Sequence, residues 1–391
     1  MKRVHLYGAF DRFNYGDLLF PLVLKKAIGS ASDIDCVCEC YGLIASDLRR
    51  FGGVITKPIS DLDIDKANKD ILIVAGGEVL GAHISYLYNC FGKGIARSRI
   101  MNKLRLGCIN SYIARKKLRV NSNYPFIINK KEYEEICLIY NAVSGENASI
   151  EMNEFLTSVD YISIRDKDVY RSMCDKCHRE TSLFLYPDSA TLISEYFPFG
   201  YLETKIGRET KEIINLFGDG YICFQAAERF INTNIKTILS ELIALYVGQQ
   251  FPIVLLPIGR AHMHNDHVGL ARIRKHIDVP CVLPKDNTIY DIMYLIANSK
   301  LFIGTSLHGN ITAMSYAVPY IGLDGRIRKL HSYLQTWGIE GLDGCVDYVE
   351  IGSKAKRILA SGIPGLSRHS EILVAKAKEN IQKIITVIKN Y

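Results

Sequence analysis

The chain has 391 residues, 48% hydrophobic and 23% charged, a mixture that excludes a disordered tail, a collagen or a disulfide-stapled miniature. At about 150 residues per domain, two domains are expected, each large enough to bury a core without metals or disulfides. The formal net charge of +7 is concentrated in residues 91–131, which hold eleven Lys or Arg and no Asp or Glu; without them the balance is negative.

In chain order, residues 3–7 read as a short apolar strand. A Gly/Asn loop and a helix over 17–28 follow, with Pro21 in its first turn and Gly29 able to end it. Tyr7, Gly8 and Asp11 interrupt the opening apolar stretch, so it does not read as a secretory signal. Residues 34–40, 71–75, 136–143 and 161–164 are buried-strand candidates. After a polar stretch over about 195–215 a second series begins. Strands are expected at 221–224, 252–256, 301–303 and 319–322. Helices are expected at 231–247, 288–297, 308–316 and 326–337, and an amphipathic basic helix at 371–391.

Strands alternating with helices imply parallel sheets covered on both faces. The fold class is therefore α/β, with two Rossmann-like domains facing a cleft. The first spans residues 1–200 and includes the basic segment; the second spans 201–391 and includes the terminal helix. No apolar run approaches the roughly 18 residues of a membrane-spanning helix. The eleven cysteines, odd in number and scattered, read as reduced thiols of a cytoplasmic protein.

Ligands of such sheets bind beyond the C-terminal ends of the strands, so the loops there are where chemistry is sought. The strongest is Gly304-Thr305-Ser306-Leu307-His308-Gly309. An apolar strand ends at Gly304, and Thr305 or Ser306 can cap the next helix. Its first N–H groups then form an anion site. His308 in the first turn can touch a bound anion and exchange protons near neutral pH. The plainer alternative is a capping serine beside a structural histidine.

The same turn resembles the polysaccharide pyruvyl transferase family, with Asn310-Ile311-Thr312-Ala313-Met314, Ala317-Val318-Pro319, Lys329 and Trp337-Gly338 following it. Phe13-Asn14-Tyr15-Gly16-Asp17 is similar to the family's opening loop, and Gly76-Gly77 to its glycine turn. Ser163-Ile164-Arg165-Asp166 is similar to its Ser-x-Arg turn, and Pro187-Asp188 to its Pro-Asp step. The loop ending at Asp266 is similar to the segment before an aspartate in the family's second domain. These matches run in the family's order over about residues 4–340. Two features depart from it. Glu78 stands where a third glycine is common, and residues 91–131 match no family motif.

The resemblance implies an architecture similar to the GT-B glycosyltransferases. It implies transfer of pyruvate from phosphoenolpyruvate to two hydroxyls of one sugar, forming a cyclic ketal and releasing phosphate. The acceptor implied is a polysaccharide repeat unit or its lipid-linked precursor. Phosphoenolpyruvate is then the donor substrate, and no cofactor or metal is required. Arg165 could hold one anionic group of the donor, and the helix start at Ser306, Leu307 and Gly309 the other, with Lys329 adding a charge. His308 is the candidate proton donor to the enol CH2, or a cation for the phosphate. Asp17 or Glu78 could take the hydroxyl proton. Asn14, Gly16, Gly76, Gly77, Arg260, His262 and Asp266 complete the candidate substrate site.

Each choice has a plainer alternative: Asp17 and Glu78 as helix caps, Arg165 in a surface ion pair, Lys329 solvated. A glycosyltransferase using a nucleotide sugar fits the same architecture. A non-enzymatic binder fits the basic segment, in which Tyr112 and Tyr124 are interleaved, but leaves the cleft loops unexplained. No nucleic-acid motif is present. The segment better suits docking on an anionic membrane from the cytoplasmic side. Cys174-Asp175-Lys176-Cys177-His178 matches a haem-attachment pattern, which would need export. Cys36, Cys38 and Cys40 alternate along a strand as small apolar residues. Asn147-Ala148-Ser149 is a glycosylation sequon that a cytoplasmic chain leaves idle.

Overall fold

The computed structural model of the chain describes residues 2–31, 35–64, 69–91, 107–130, 133, 136–145, 158–176, 183–262 and 264–391. The first half forms β1 (Lys2–Tyr7), β2 (Cys36–Gly42), β3 (Ser46–Asp47), β4 (Ile55–Pro58), β5 (Ile71–Val74), β6 (Cys137–Val143), β7 (Tyr161–Ile164) and β8 (Leu183–Leu185). They lie in the order β3-β4-β2-β1-β5-β6-β7-β8, parallel except for the short antiparallel β3. The second half forms β9 (Ile222–Gln225), β10 (Ile253–Leu255), β11 (Cys281–Val282), β12 (Leu301–Gly304), β13 (Tyr320–Leu323) and β14 (Cys345–Val346). This sheet is parallel throughout, in the order β11-β10-β9-β12-β13-β14.

The central strands are continuous apolar runs because both faces of each sheet are covered. Along β1, β5 and β6, alternate side chains enter two cores. Val4, Leu6, Ile71, Ile73, Cys137 and Ile139 face one, while Tyr7, Leu72, Val74, Leu138 and Tyr140 face the other. The first core continues without a break into the second half through Phe224, Leu255, Ile303 and Ile311.

Several elements differ from the sequence expectations. The first helix spans Tyr15–Gly29, a half-turn earlier than expected, so Pro21 lies inside it rather than in its first turn. Asn14, not Asp17, occupies the N-cap position. The polar stretch between the halves is itself folded. It forms the short helices Ile193–Tyr196, Phe199–Glu203 and Arg208–Leu216, and Leu202 and Ile213 are buried in the shared core.

The terminal helix, Leu366–Asn390, returns to the first sheet. Asn380 Oδ1 accepts from Tyr161 Oη at 2.7 Å, and Asn380 Nδ2 donates to Asn141 Oδ1 at 2.9 Å. Lys2 Nζ donates to the Ile388 carbonyl at 2.6 Å. The same helix also packs on the second half, where Ser370 Oγ donates to the Ser315 carbonyl at 2.9 Å.

Of the basic segment, residues 92–106 and 131 lie outside the described residues, as do Cys177, His178 and the sequon at 147–149. The helix Gly107–Leu118 carries Arg115, Lys116 and Lys117 in its last turn. Among the described residues, no helix is long and apolar enough to cross a membrane.

Candidate active site

Parallel strands point their C-terminal ends the same way, and the loops leaving β1, β5, β7, β9, β10, β12 and β13 line one cleft between the two sheets. It brings together Asn14, Asp17, Gly76, Gly77, Glu78, Arg165, Asp266, Ser306, Leu307, His308 and Lys329.

The second-domain wall is built on β12. Ser306 caps the helix Leu307–Ser315, its hydroxyl accepting from the Gly309 amide at 3.2 Å. The first amides of a helix have no partner within it, which leaves those of Leu307 and His308 at the positive end of the helix. The His308 imidazole packs edge-on to the Phe20 ring, with centroids 5.3 Å apart. A Cβ on Gly16 would run into the imidazole, so glycine is the residue that lets the two helices meet there.

Across the cleft, Asp188 is fully buried beneath His308 and Arg165. Its Oδ2 lies 2.9 Å from Arg165 Nη1 and 3.5 Å from His308 Nε2, and its Oδ1 accepts from the Ala190 amide at 2.9 Å. Burial pushes the Asp188 carboxyl up, but His308 and Arg165 outweigh it and hold it below its usual range. The partner of Arg165 is thus a buried carboxylate, not the surface contact of the plainer reading.

Gly76 and Gly77 adopt φ of +134° and +91°, conformations that suit glycine, and the turn they make aims Glu78 at the second domain. There Lys329 Nζ lies 3.3 Å from Glu78 Oε2. Burial raises the Glu78 carboxyl, but Lys329 and Arg165 outweigh it and the net shift is downward. Asn14 Nδ2 donates to Asp17 Oδ2 at 2.8 Å, presenting that carboxylate to the cleft.

The loop after β10 divides its candidates. Asp266 is buried, and its Oδ2 accepts from the amides of Ile258 and Gly259 and from Gln225 Nε2, so it shapes the loop. Arg260 turns away from the cleft. It donates to the Lys285 carbonyl at 2.5 Å and lies over the Phe13 ring. His262 is exposed and also lies off the cleft lining. His264, which does line it, is driven by burial and by Lys329 down to about 4. The sequence reading missed Arg12, Tyr86, Gln225 and Arg229, which also line the cleft. Gln225 directly follows the strand expected at 221–224, a signal that was available. Among the described residues, no group of three or more His, Cys, Asp or Glu gathers as a metal site.

The model of the family described as polysaccharide pyruvyl transferase matches residues 14–325, most of the chain. The chain belongs to the polysaccharide pyruvyl transferase family. Its cleft is accordingly the active-site candidate of a transferase, and the loops gathered there all fall within or next to the matched span. No curated protein sequence matches the chain.

Solved structures similar to this family member share its fold. One is the S. aureus MnaA–UDP co-structure, at 12% identity and TM-score 0.57, with 100% of this chain and 97% of that one covered. Another is UDP-GlcNAc 2-epimerase from Neisseria meningitidis bound to UDP-GlcNAc, at 9% identity and TM-score 0.54, with both chains covered completely. A third, from Methanocaldococcus jannaschii, has 10% identity and TM-score 0.54, with 99% of each chain covered. The architecture is GT-B-like: two Rossmann-like α/β units facing a cleft.

Proposed function

We propose that this family member transfers the pyruvyl group of phosphoenolpyruvate to two hydroxyls of one sugar in a polysaccharide repeat unit or its lipid-linked precursor. The observation that carries the reading is Asp188 held between Arg165 and His308. A buried carboxylate 3.5 Å from Nε2 faces the imidazole in the place that orients a general acid.

In this reading the donor's phosphate and carboxylate lie between the helix start at Ser306–His308 and the cations Arg165 and Lys329. His308 gives a proton to the enol CH2, which becomes CH3 and leaves C2 electron-poor. A sugar hydroxyl adds to C2, and its proton passes to Asp17 or Glu78. The second hydroxyl then forms the other C2–O bond as the C2–O bond to phosphate breaks, and its proton leaves with the phosphate. The products are the cyclic ketal and inorganic phosphate, and nothing is oxidised or reduced. The cationic turn of the helix Gly107–Leu118 belongs to the surface that would dock on anionic lipid.

The test is a thermal-shift screen of phosphoenolpyruvate against UDP-, GDP- and CMP-sugars, with His308→Ala and Arg165→Ala alongside. A ligand at ~100 times its Kd stabilises a fold by about 2.7 kcal/mol. Stabilisation by phosphoenolpyruvate, weakened in both variants, is expected. Stabilisation by a nucleotide sugar alone would overturn the reading in favour of a glycosyltransferase.

A further inference from the structure

Gln225 ends β9 and is buried, with 3% of its surface exposed. Both ends of its amide are engaged. Nε2 donates to Asp266 Oδ2 at 2.8 Å, while Oε1 accepts from the Ser306 amide at 2.9 Å and from Thr305 Oγ1 at 3.3 Å. The same Asp266 oxygen accepts from the Ile258 amide at 3.1 Å and the Gly259 amide at 2.9 Å. The loop so held leans on the first domain. The Tyr15 amide donates to the Ile258 carbonyl at 3.4 Å, Asn14 bridges to Gly259, and the Ala261 amide donates to the Phe13 carbonyl at 3.1 Å. One continuous set of hydrogen bonds therefore runs from the turn that carries His308 to the loop that carries Asn14 and Asp17.

We propose that Gln225 is a positioning residue: through Asp266 it sets the turn at 305–308 of the second domain against the loop at 14–17 of the first. This rests on reading the cleft as a phosphoenolpyruvate site. The chemistry of the position favours a carboxamide. It must accept from an amide and a hydroxyl on one side and donate to a carboxylate on the other. A carboxylate there would meet Asp266 with like charge, and an apolar side chain would leave the Ser306 amide and Asp266 without this partner. Displacing a reacting group by about 1 Å is enough to lose a hundredfold in rate.

The geometry also specifies what Asp266 must be. Three donors converge on Oδ2, and Oδ1 is buried without a partner. Asp266 therefore acts here as an acceptor.

The test compares Gln225→Met with Gly29→Ala in the full chain. Two quantities are read: phosphoenolpyruvate affinity by calorimetry, and the His308 imidazole resonance, assigned with His308→Gln. Gln225→Met is expected to weaken phosphoenolpyruvate binding at least about tenfold and to move the His308 resonance. Gly29→Ala, at the far end of the first helix where an added methyl meets nothing, is expected to stay within about threefold of the parent and leave the resonance in place. If Gln225→Met does not fold, Gln225→Asn replaces it, because its shorter arm cannot span both Ser306 and Asp266. Parental affinity and resonance in the Gln225 variant, or an equal loss in Gly29→Ala, would overturn the proposal. If the parent binds no phosphoenolpyruvate, the function proposed above fails, and the His308 resonance alone decides the positioning role.

Discussion

His308 and Asp188 come from different domains, yet the imidazole Nε2 lies 3.5 Å from the buried Asp188 Oδ2, the oxygen that also accepts from Arg165. The pair exists only when the cleft is assembled. Asp188→Asn keeps an acceptor for the Ala190 amide but removes the negative charge that faces His308 Nε2 and Arg165. Phosphate release from phosphoenolpyruvate in the presence of acceptor is expected to fall by about 10²-fold or more, with the fold retained by circular dichroism.

Gly16→Ala tests the contact behind that pair. The added methyl runs into the His308 ring, and overpacking of this kind costs about 1–3 kcal/mol. Denaturant melts should show that loss together with weaker phosphoenolpyruvate binding. Gly29→Ala, at the other end of the same helix, meets nothing within 4 Å. It is expected to be neutral, or stabilising by up to about 1 kcal/mol.

Glu78 gives a pH prediction. Lys329 and Arg165 overcome the effect of burial and hold its carboxyl below the usual range, so it stays ionised through the ordinary carboxylate range as pH falls. Lys329→Met removes one of those cations and raises the Glu78 pKa. If Glu78 takes the hydroxyl proton, the acid limb of the normalised pH–rate profile moves to higher pH in that variant. An unmoved limb would assign the proton to Asp17.

His264 and Asp266 oppose each other in acid. His264 titrates at about 4 in the folded chain and at 6.5 ordinarily. Between those values the unfolded chain binds more protons, so acidification removes stability. Asp266 is raised by burial to about 6 from 3.8, so in that window the folded chain binds more protons and acidification adds stability. His264→Gln removes the first effect only. The drop in Tm from pH 7 to pH 4.5 should be smaller in the variant than in the parent.

Asn380→Ala tests the return of the terminal helix to the first sheet. The change strips partners from the buried Tyr161 hydroxyl and Asn141 amide. Each buried group left unpaired costs about 1–3 kcal/mol. A Tm lower by several degrees is expected, with phosphoenolpyruvate affinity unchanged at 25 °C.

Much of this protein could be read from local pattern. Apolar runs such as Ile71-Leu72-Ile73-Val74 mark buried parallel strands wherever they occur, and the loops after them are brought to one edge by the parallel topology alone. That is why the loops carrying Asn14, Asp17, Gly76, Gly77, Glu78, Arg165, Ser306 and His308 are expected at one cleft, while the choice of residues within them rests on the family resemblance. What local pattern could not supply is direction. Arg260 and His262 share a loop with Asp266, but the loop's path turns the first toward Lys285 and the second to the surface. Asp188 pairs with His308 across 120 positions, and the terminal helix crosses back to Tyr161 and Asn141. Pro21 sits inside its helix, whose first residue, Tyr15, donates its amide to the Ile258 carbonyl of the second half. Such outcomes depend on packing between segments far apart in the chain, and only the assembled tertiary structure decides them.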